Sequence, residues 1–256
     1  MRGQGGLNKE WLERDRTVVE RVGRLVAAPI QLERLRAVVG SNWEEIDLGF
    51  GSRRIKAAAH GGYHGAWITI AVFSNQVYCG NMVAAPGAAM PPEAHQRITT
   101  MWANLAVVSD VYIAQTRWED TNLMRTVDAN RWSTLGRPPP GYVAADAKKD
   151  VVQLISPLSA LVCGSLHSYG AQAPPGCQEA QRLAERSDPG PLIRVLRGDS
   201  PEGRVYACHH LEKFNVPGDV LQTMTRVRTL PVPIAYVSGS TMAVGTAADA
   251  LRALAG

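Results

Sequence analysis

The chain has 256 residues, 45% apolar and 20% charged. That balance suits one large globular domain or two modest ones and excludes disorder throughout. No run of about 18 apolar residues exists, so no membrane span is expected, and the polar stretch 1–16 lacks the apolar centre of a secretion signal, which points to the cytoplasm. A net charge of +4 rests on 22 arginines against five lysines. The guanidinium fork suits phosphate and carboxylate, so nucleic acid is the expected partner, although arginine-rich codon usage in a GC-rich genome produces the same bias.

In chain order, Asn8 caps a helix over 9–28, with Leu7 and Leu12 as a hydrophobic staple and Trp11, Val18, Val19, Val22 and Leu25 on one stripe. Pro29 starts a second helix that Gly40 ends. Strands follow over 43–50 and 53–59. The run Trp67 to Phe73 alternates two mostly apolar sets, the mark of a strand covered on both faces. Ser74-Asn75-Gln76 has turn chemistry, and 77–82 pairs back as a hairpin. A proline-alanine connector spans 84–92, a helix 92–107 and a strand lies within 110–118. Residues 119–142 are expected to be irregular and to end in Pro138-Pro139-Pro140-Gly141, the best domain boundary.

The second half is expected to hold a helix from about 144, a break at Pro157, and helical continuation over 158–168. Strands over 191–197 and 204–211 flank the turn signal Gly198-Asp199-Ser200-Pro201-Glu202-Gly203. Asp219 caps a helix to 228, a short strand spans 231–237, and an alanine-rich helix closes the chain over 241–255. The fold class is therefore α+β: an N-terminal helix pair, an antiparallel β region around 43–83, and a mixed helix and hairpin C-terminal half. The division is 1–137 and 143–256, or a single domain 1–256.

The loop His60-Gly61-Gly62-Tyr63-His64-Gly65 is the main local candidate. Its glycines permit positive φ or close backbone approach. A metal site would need His60/His64, Cys163/His167 and Cys208-His209-His210 to converge, and lacks an acidic partner at a recognised spacing. Serine hydrolysis needs a G-x-S-x-G elbow, which Val237-Ser238-Gly239-Ser240-Thr241 does not supply. Gly239-Ser240-Thr241 before a helix serves as a cap more readily than as a phosphate site, and no nucleotide-loop signature occurs. Cys208 has His210 on its own side if the segment is a strand. No cofactor is expected.

For nucleic acid, the residues expected to touch the phosphate backbone are Arg53, Arg54, Lys56, Arg125, Arg131, Arg194, Arg197 and Arg204. No zinc-finger or RNP-type module appears. Alanine, proline and serine make up 62 of 256 residues, with runs at Ala84-Ala85-Pro86-Gly87-Ala88-Ala89 and Ala171-Gln172-Ala173-Pro174-Pro175. In composition alone this resembles the proline-alanine-serine-rich proteins of polymycoviruses. The resemblance implies a basic, double-stranded-RNA-associated, self-associating protein and transfers no residue.

Two functions follow as expectations. The first is a structural, self-associating, coat-like protein that binds nucleic acid, RNA favoured, through dispersed arginines. The second is a cytosolic enzyme in which His60, Tyr63 and His64 form an acid–base set and Arg53 or Arg54 holds an anionic small molecule.

Overall fold

The structure, a computed structural model, describes residues 7–26, 32–40, 43–88, 90–106, 112–138, 140, 145–164, 173–238 and 241–255. The expected helix start at Pro29, His167 and the pair Gly239-Ser240 lie outside them. The fold is α+β, as the sequence patterning indicates: a five-stranded antiparallel sheet, a separate two-stranded sheet, and helices on both sides of them in sequence. The chain divides into two compact units. Unit 1 comprises 1–45 and 54–124, and unit 2 comprises 46–53 and 125–256. The proline run at 138–140 therefore lies inside unit 2, and the division falls near the start of a helix.

Unit 1 begins with α1 (Lys9–Val26) and α2 (Leu32–Val39). Asn8 caps α1, its side-chain oxygen accepting from the Glu10 N–H at 3.0 Å. Of the expected stripe, Val18, Val19, Val22 and Leu25 are buried but Trp11 is exposed, while Arg14–Glu10 and Arg24–Glu20 pair on the wet side. The sheet runs in sequence order through β1 (Trp43–Gly49), β2 (Ser52–His60), β3 (His64–Phe73), β4 (Gln76–Pro86) and β5 (Ala114–Glu119). Phe73 pairs with Gln76 across Ser74-Asn75, both at positive φ (47° and 66°), the primed turn that a two-residue hairpin favours. Helix α3 (Pro92–Trp102) sends Ala94, Ile98 and Trp102 into the core, with Ile55, Ile68, Ile70 and Met82.

Only one face of β3 is fully covered. Ile68, Ile70 and Val72 are buried, but Trp67 is 45% exposed and Thr69 and Phe73 are half-buried. The expectation of two covered faces is corrected accordingly. Within the second set Ala71 is fully buried opposite Cys79, while Trp67, Thr69 and Phe73 lie on the less covered part of that face, with half-buried Asn81 and Val83 of β4 and exposed Gln115 and Arg117 of β5.

Unit 2 contains most of α4 (Thr121–Leu135), then α5 (Ala145–Ile155), α6 (Cys177–Ala184), α7 (Gly190–Leu196), α8 (Pro201–Leu211), α9 (Gly218–Thr229), the hairpin β6 (Ile234–Ser238) and β7 (Thr241–Gly245), and α10 (Ala247–Ala255). Helix α8 is the axis. Ten of its eleven residues are buried, and α5, α6, α7, α9, α10 and β6 pack on it. Gly203 lets it meet α5 closely, because a Cβ there would run into the Leu154 carbonyl oxygen.

Several expectations fail here. The segments 191–197 and 204–211 are helices, not strands. A helix enclosed on all sides shows no polar stripe, so its short apolar run has no 3.6-residue period to betray it. Ser200 is an N-cap, its hydroxyl accepting from the Gly203 N–H at 3.1 Å, with Pro201 at the first helical position. The expected irregular stretch 119–142 contains α4. The described part of 158–168 is not helical: Cys163 bridges to Tyr236 of β6. The closing segment is a strand followed by a helix, and Thr246 with Asp249 caps that helix reciprocally.

Candidate functional site

The loop between β2 and β3 is built against α1. Asp15 stands in the buried stripe of α1, three residues before Val18 and seven before Val22. Its Oδ1 accepts the Gly62 N–H at 2.8 Å and the His64 Nδ1–H at 2.8 Å; the Tyr63 N–H reaches both oxygens at 3.1 Å, and the His64 N–H lies 3.3 Å away. The Trp102 Nε1–H donates to His64 Nε2 at 3.3 Å. These partners place the single imidazole proton on Nδ1. Burial holds His64 below its ordinary pKa, against the upward pull of Asp15. Tyr63 accepts the Asn8 N–H at its hydroxyl, 2.9 Å, and meets Trp11 edge to face.

The glycines of this loop serve close approach, not positive φ. A Cβ on Gly61 would collide with Asp15, and one on Gly62 with the backbone of Trp11. The sequence-predicted set therefore separates. Tyr63 and His64 are enclosed parts of the packing, while His60 is exposed at the end of β2.

His60 lines a cleft of about 230 Å³ in unit 1. Arg14, Thr17 and Arg21 enter it from α1, beside Val18; Val38 and Val39 of α2 and Ala58 and Ala59 of β2 supply its apolar wall. Positions 14, 17, 18 and 21 fall on one face of a helix by spacing. Arg21 makes no ion pair among the described residues; Arg14 pairs with Glu10 near the surface. Two guanidinium groups and an imidazole beside an apolar wall are donor types that suit a small anion, although Arg14 is engaged by Glu10 and the Thr17 hydroxyl donates to the Glu13 carbonyl at 2.9 Å. The His60 ring also stands edge-on to the exposed Trp67, with centroids 6.0 Å apart.

Four of the eight cations expected to hold a phosphate backbone are buried. Arg54, Arg131, Arg197 and Arg204 are buried, each exposed by 5% or less, so they face the interior and not a strand of nucleic acid. In unit 2 they act as staples. Arg131 donates from Nε to the Arg197 carbonyl at 2.9 Å and forms ion pairs with Asp128 and Asp199. Arg197 pairs with Asp219 at 2.8 Å and donates to the Arg137 carbonyl. Arg204 donates to the Leu48 carbonyl at 2.6 Å and lies over the Phe50 ring. Burial, and then the charge of Arg131, lower the Arg204 pKa to about 9. Of the other four, Lys56 pairs with Glu44 at 3.6 Å, Arg53 and Arg194 are half-buried, and Arg125 is exposed.

The cysteine alternative loses its geometry, and the metal alternative has one of its members, His167, outside the described residues. All four cysteines are buried and free, and burial raises Cys79 and Cys208 to about 12. Cys208 lies on a helix, so the strand argument that set it beside His210 does not apply. Among the described residues, no group of three His, Cys, Asp or Glu side chains could hold a metal ion, and no helix is long and apolar enough to cross a membrane. Sequence reasoning missed Asp15, Arg14 and Arg21. An acid inside an apolar stripe, and arginines seven apart flanking Val18, were the available signals. No family model, curated protein or solved structure matches the chain.

Proposed function

We propose that unit 1 binds a nucleotide unit, with its phosphate held by Arg14, Arg21 and His60 and its base stacked on Trp67. One observation carries this reading: His60 belongs to both features, lining the cationic cleft and standing beside the exposed indole. An anion joined to a flat ring is the ligand chemistry that uses both. The cleft is small for an entire cofactor-sized molecule, since pockets for those run from roughly 300 Å³ upward. It suits a phosphate group with the rest of the ligand outside. Trp67 opens onto the sheet face beside Asn81 and Gln115, where further units of a single strand of RNA have room and polar partners.

This keeps nucleic acid as the partner and moves the contacts from the dispersed arginines to one end of unit 1. It makes the protein a binding module. Joint acid–base catalysis by His60, Tyr63 and His64 has no geometric support, because the last two are enclosed.

The test is anisotropy of a labelled oligouridylate, with adenosine monophosphate and inorganic phosphate as competitors. Binding is expected to weaken as salt rises. W67A should weaken it about tenfold, in line with roughly 1–3 kcal/mol per stacked base, and R21A by a similar factor. Lack of binding at low salt, or unchanged binding by both variants, overturns the proposal. Binding of phosphate alone, indifferent to W67A but lost in R21A, would replace it with a small-anion receptor.

A further inference from the structure

Among the described residues, unit 2 carries a strand edge that no other strand covers. In the hairpin, Ala235 pairs with Val244, Tyr236 with Ala243, and Val237 with Met242. Cys163 fixes the phase of the ladder. Its N–H donates to the Ala235 carbonyl at 2.8 Å, and its carbonyl accepts the Val237 N–H at 2.8 Å. Ala235 and Val237 thus turn their backbone groups away from β7. In an antiparallel ladder, residues opposite such positions also turn theirs away from the pair. Met242 and Val244 therefore direct N–H and C=O to the outer side of β7, where no strand lies among the described residues. Their side chains are 53% and 69% exposed. Thr241–Gly245 contains no charge and no proline, and its pairing with β6 shows no bulge. Those are the usual devices that keep an edge from pairing.

We propose that β7 pairs with β7 of a second copy, antiparallel and centred on Ala243. The sequence of the strand favours its own copy as occupant. Centred there, Met242 of each copy faces Val244 of the other, and these are the residues whose backbone groups are free to exchange hydrogen bonds. Thr241 faces Gly245. Each cross-strand pair is uncharged, so the two-fold arrangement meets no like-charge repulsion within the strand although the whole chain is basic. The result is a continuous four-stranded sheet across two molecules. A five-residue strand pair buries far less than the roughly 1,200–2,000 Å² of a standard interface, so the dimer is weak and concentration-dependent.

The experiment is sedimentation velocity on the full chain over a concentration series into the high micromolar range, with circular dichroism to confirm folding. The wild type should shift reversibly from monomer towards dimer. M242P removes an N–H that points outward and leaves the bonds to β6 in place, so it should stay folded and monomeric. The double variant M242K/V244K sets lysines opposite each other and should also remain monomeric, which keeps the test decisive if the proline variant misfolds. A wild type that is monomeric throughout, or folded variants that dimerise as the wild type does, overturns the proposal.

Discussion

Asp15→Ala should unfold unit 1 or leave it barely stable. The carboxylate receives the N–H groups of Gly62, Tyr63 and His64 and the imidazole N–H of His64, all at 2.8–3.3 Å. Both the Asp15 and His64 side chains are fully excluded from solvent. Removing the acceptor strands these donors. A buried donor left unpaired costs roughly 1–3 kcal/mol, and more when its partner was charged, with some recovery if water enters the gap. A loss of about 3–5 kcal/mol follows, comparable with breaking a buried pair and a large part of the roughly 5–15 kcal/mol that holds a domain together. Asp15→Asn keeps the shape and one oxygen, and should cost about half as much. The assay is urea unfolding followed by tryptophan fluorescence. It reports mainly on unit 1, because Trp132 alone of the six tryptophans belongs to unit 2. An Asp15→Ala midpoint corresponding to less than about 1 kcal/mol of lost stability would refute the claim that this carboxylate anchors the loop.

Acidification should weaken both units as pH falls below the ordinary histidine range. Burial lowers His64, and it lowers His210 to about 4 with help from His209 and Lys213. Both imidazoles therefore bind a proton more readily in the unfolded chain. Stability should be complete above pH ~6.5 and decline as pH falls from there towards 4. Melting temperatures across that range check this, and His210→Gln should shallow the slope; a flat profile down to pH 5 would contradict it. Gly203→Ala should destabilise unit 2 by about 1–3 kcal/mol or more through overpacking against the Leu154 carbonyl, and a thermal melt with an unchanged midpoint would show that α5 and α8 can separate at no cost.

Where local chemistry decides structure, the sequence was legible. The Asn8 cap, the stripe from Val18 to Leu25, and the turn at Ser74-Asn75 all follow from residues within a few positions of one another. Where enclosure decides structure, it was not. Helix α8 carries Glu202, Arg204 and His210 inside the core of unit 2, so its pattern mixes polar and apolar residues with no period that marks a face. The two strands expected around it came from that ambiguity. The site shows the same divide. His60, Tyr63 and His64 are neighbours in sequence, yet only tertiary packing sends one outward and two inward. Counting arginines likewise overstated the cationic surface, because a guanidinium is as well suited to gripping main-chain carbonyls as to meeting phosphates.

The Leu48 carbonyl and the Phe50 ring, which receive Arg204, come from a segment more than 150 positions earlier in the chain. During synthesis, this receptor emerges from the ribosome long before the helix it accepts has been made. The amino-terminal portion must wait with part of its hairpin unoccupied. A truncated product starting at residue 125 would lose the Leu48 acceptor and the Phe50 ring and keep only the longer bond from Arg204 to the Asp199 carbonyl, 3.4 Å, so the carboxy-terminal half should be less stable alone than within the whole chain.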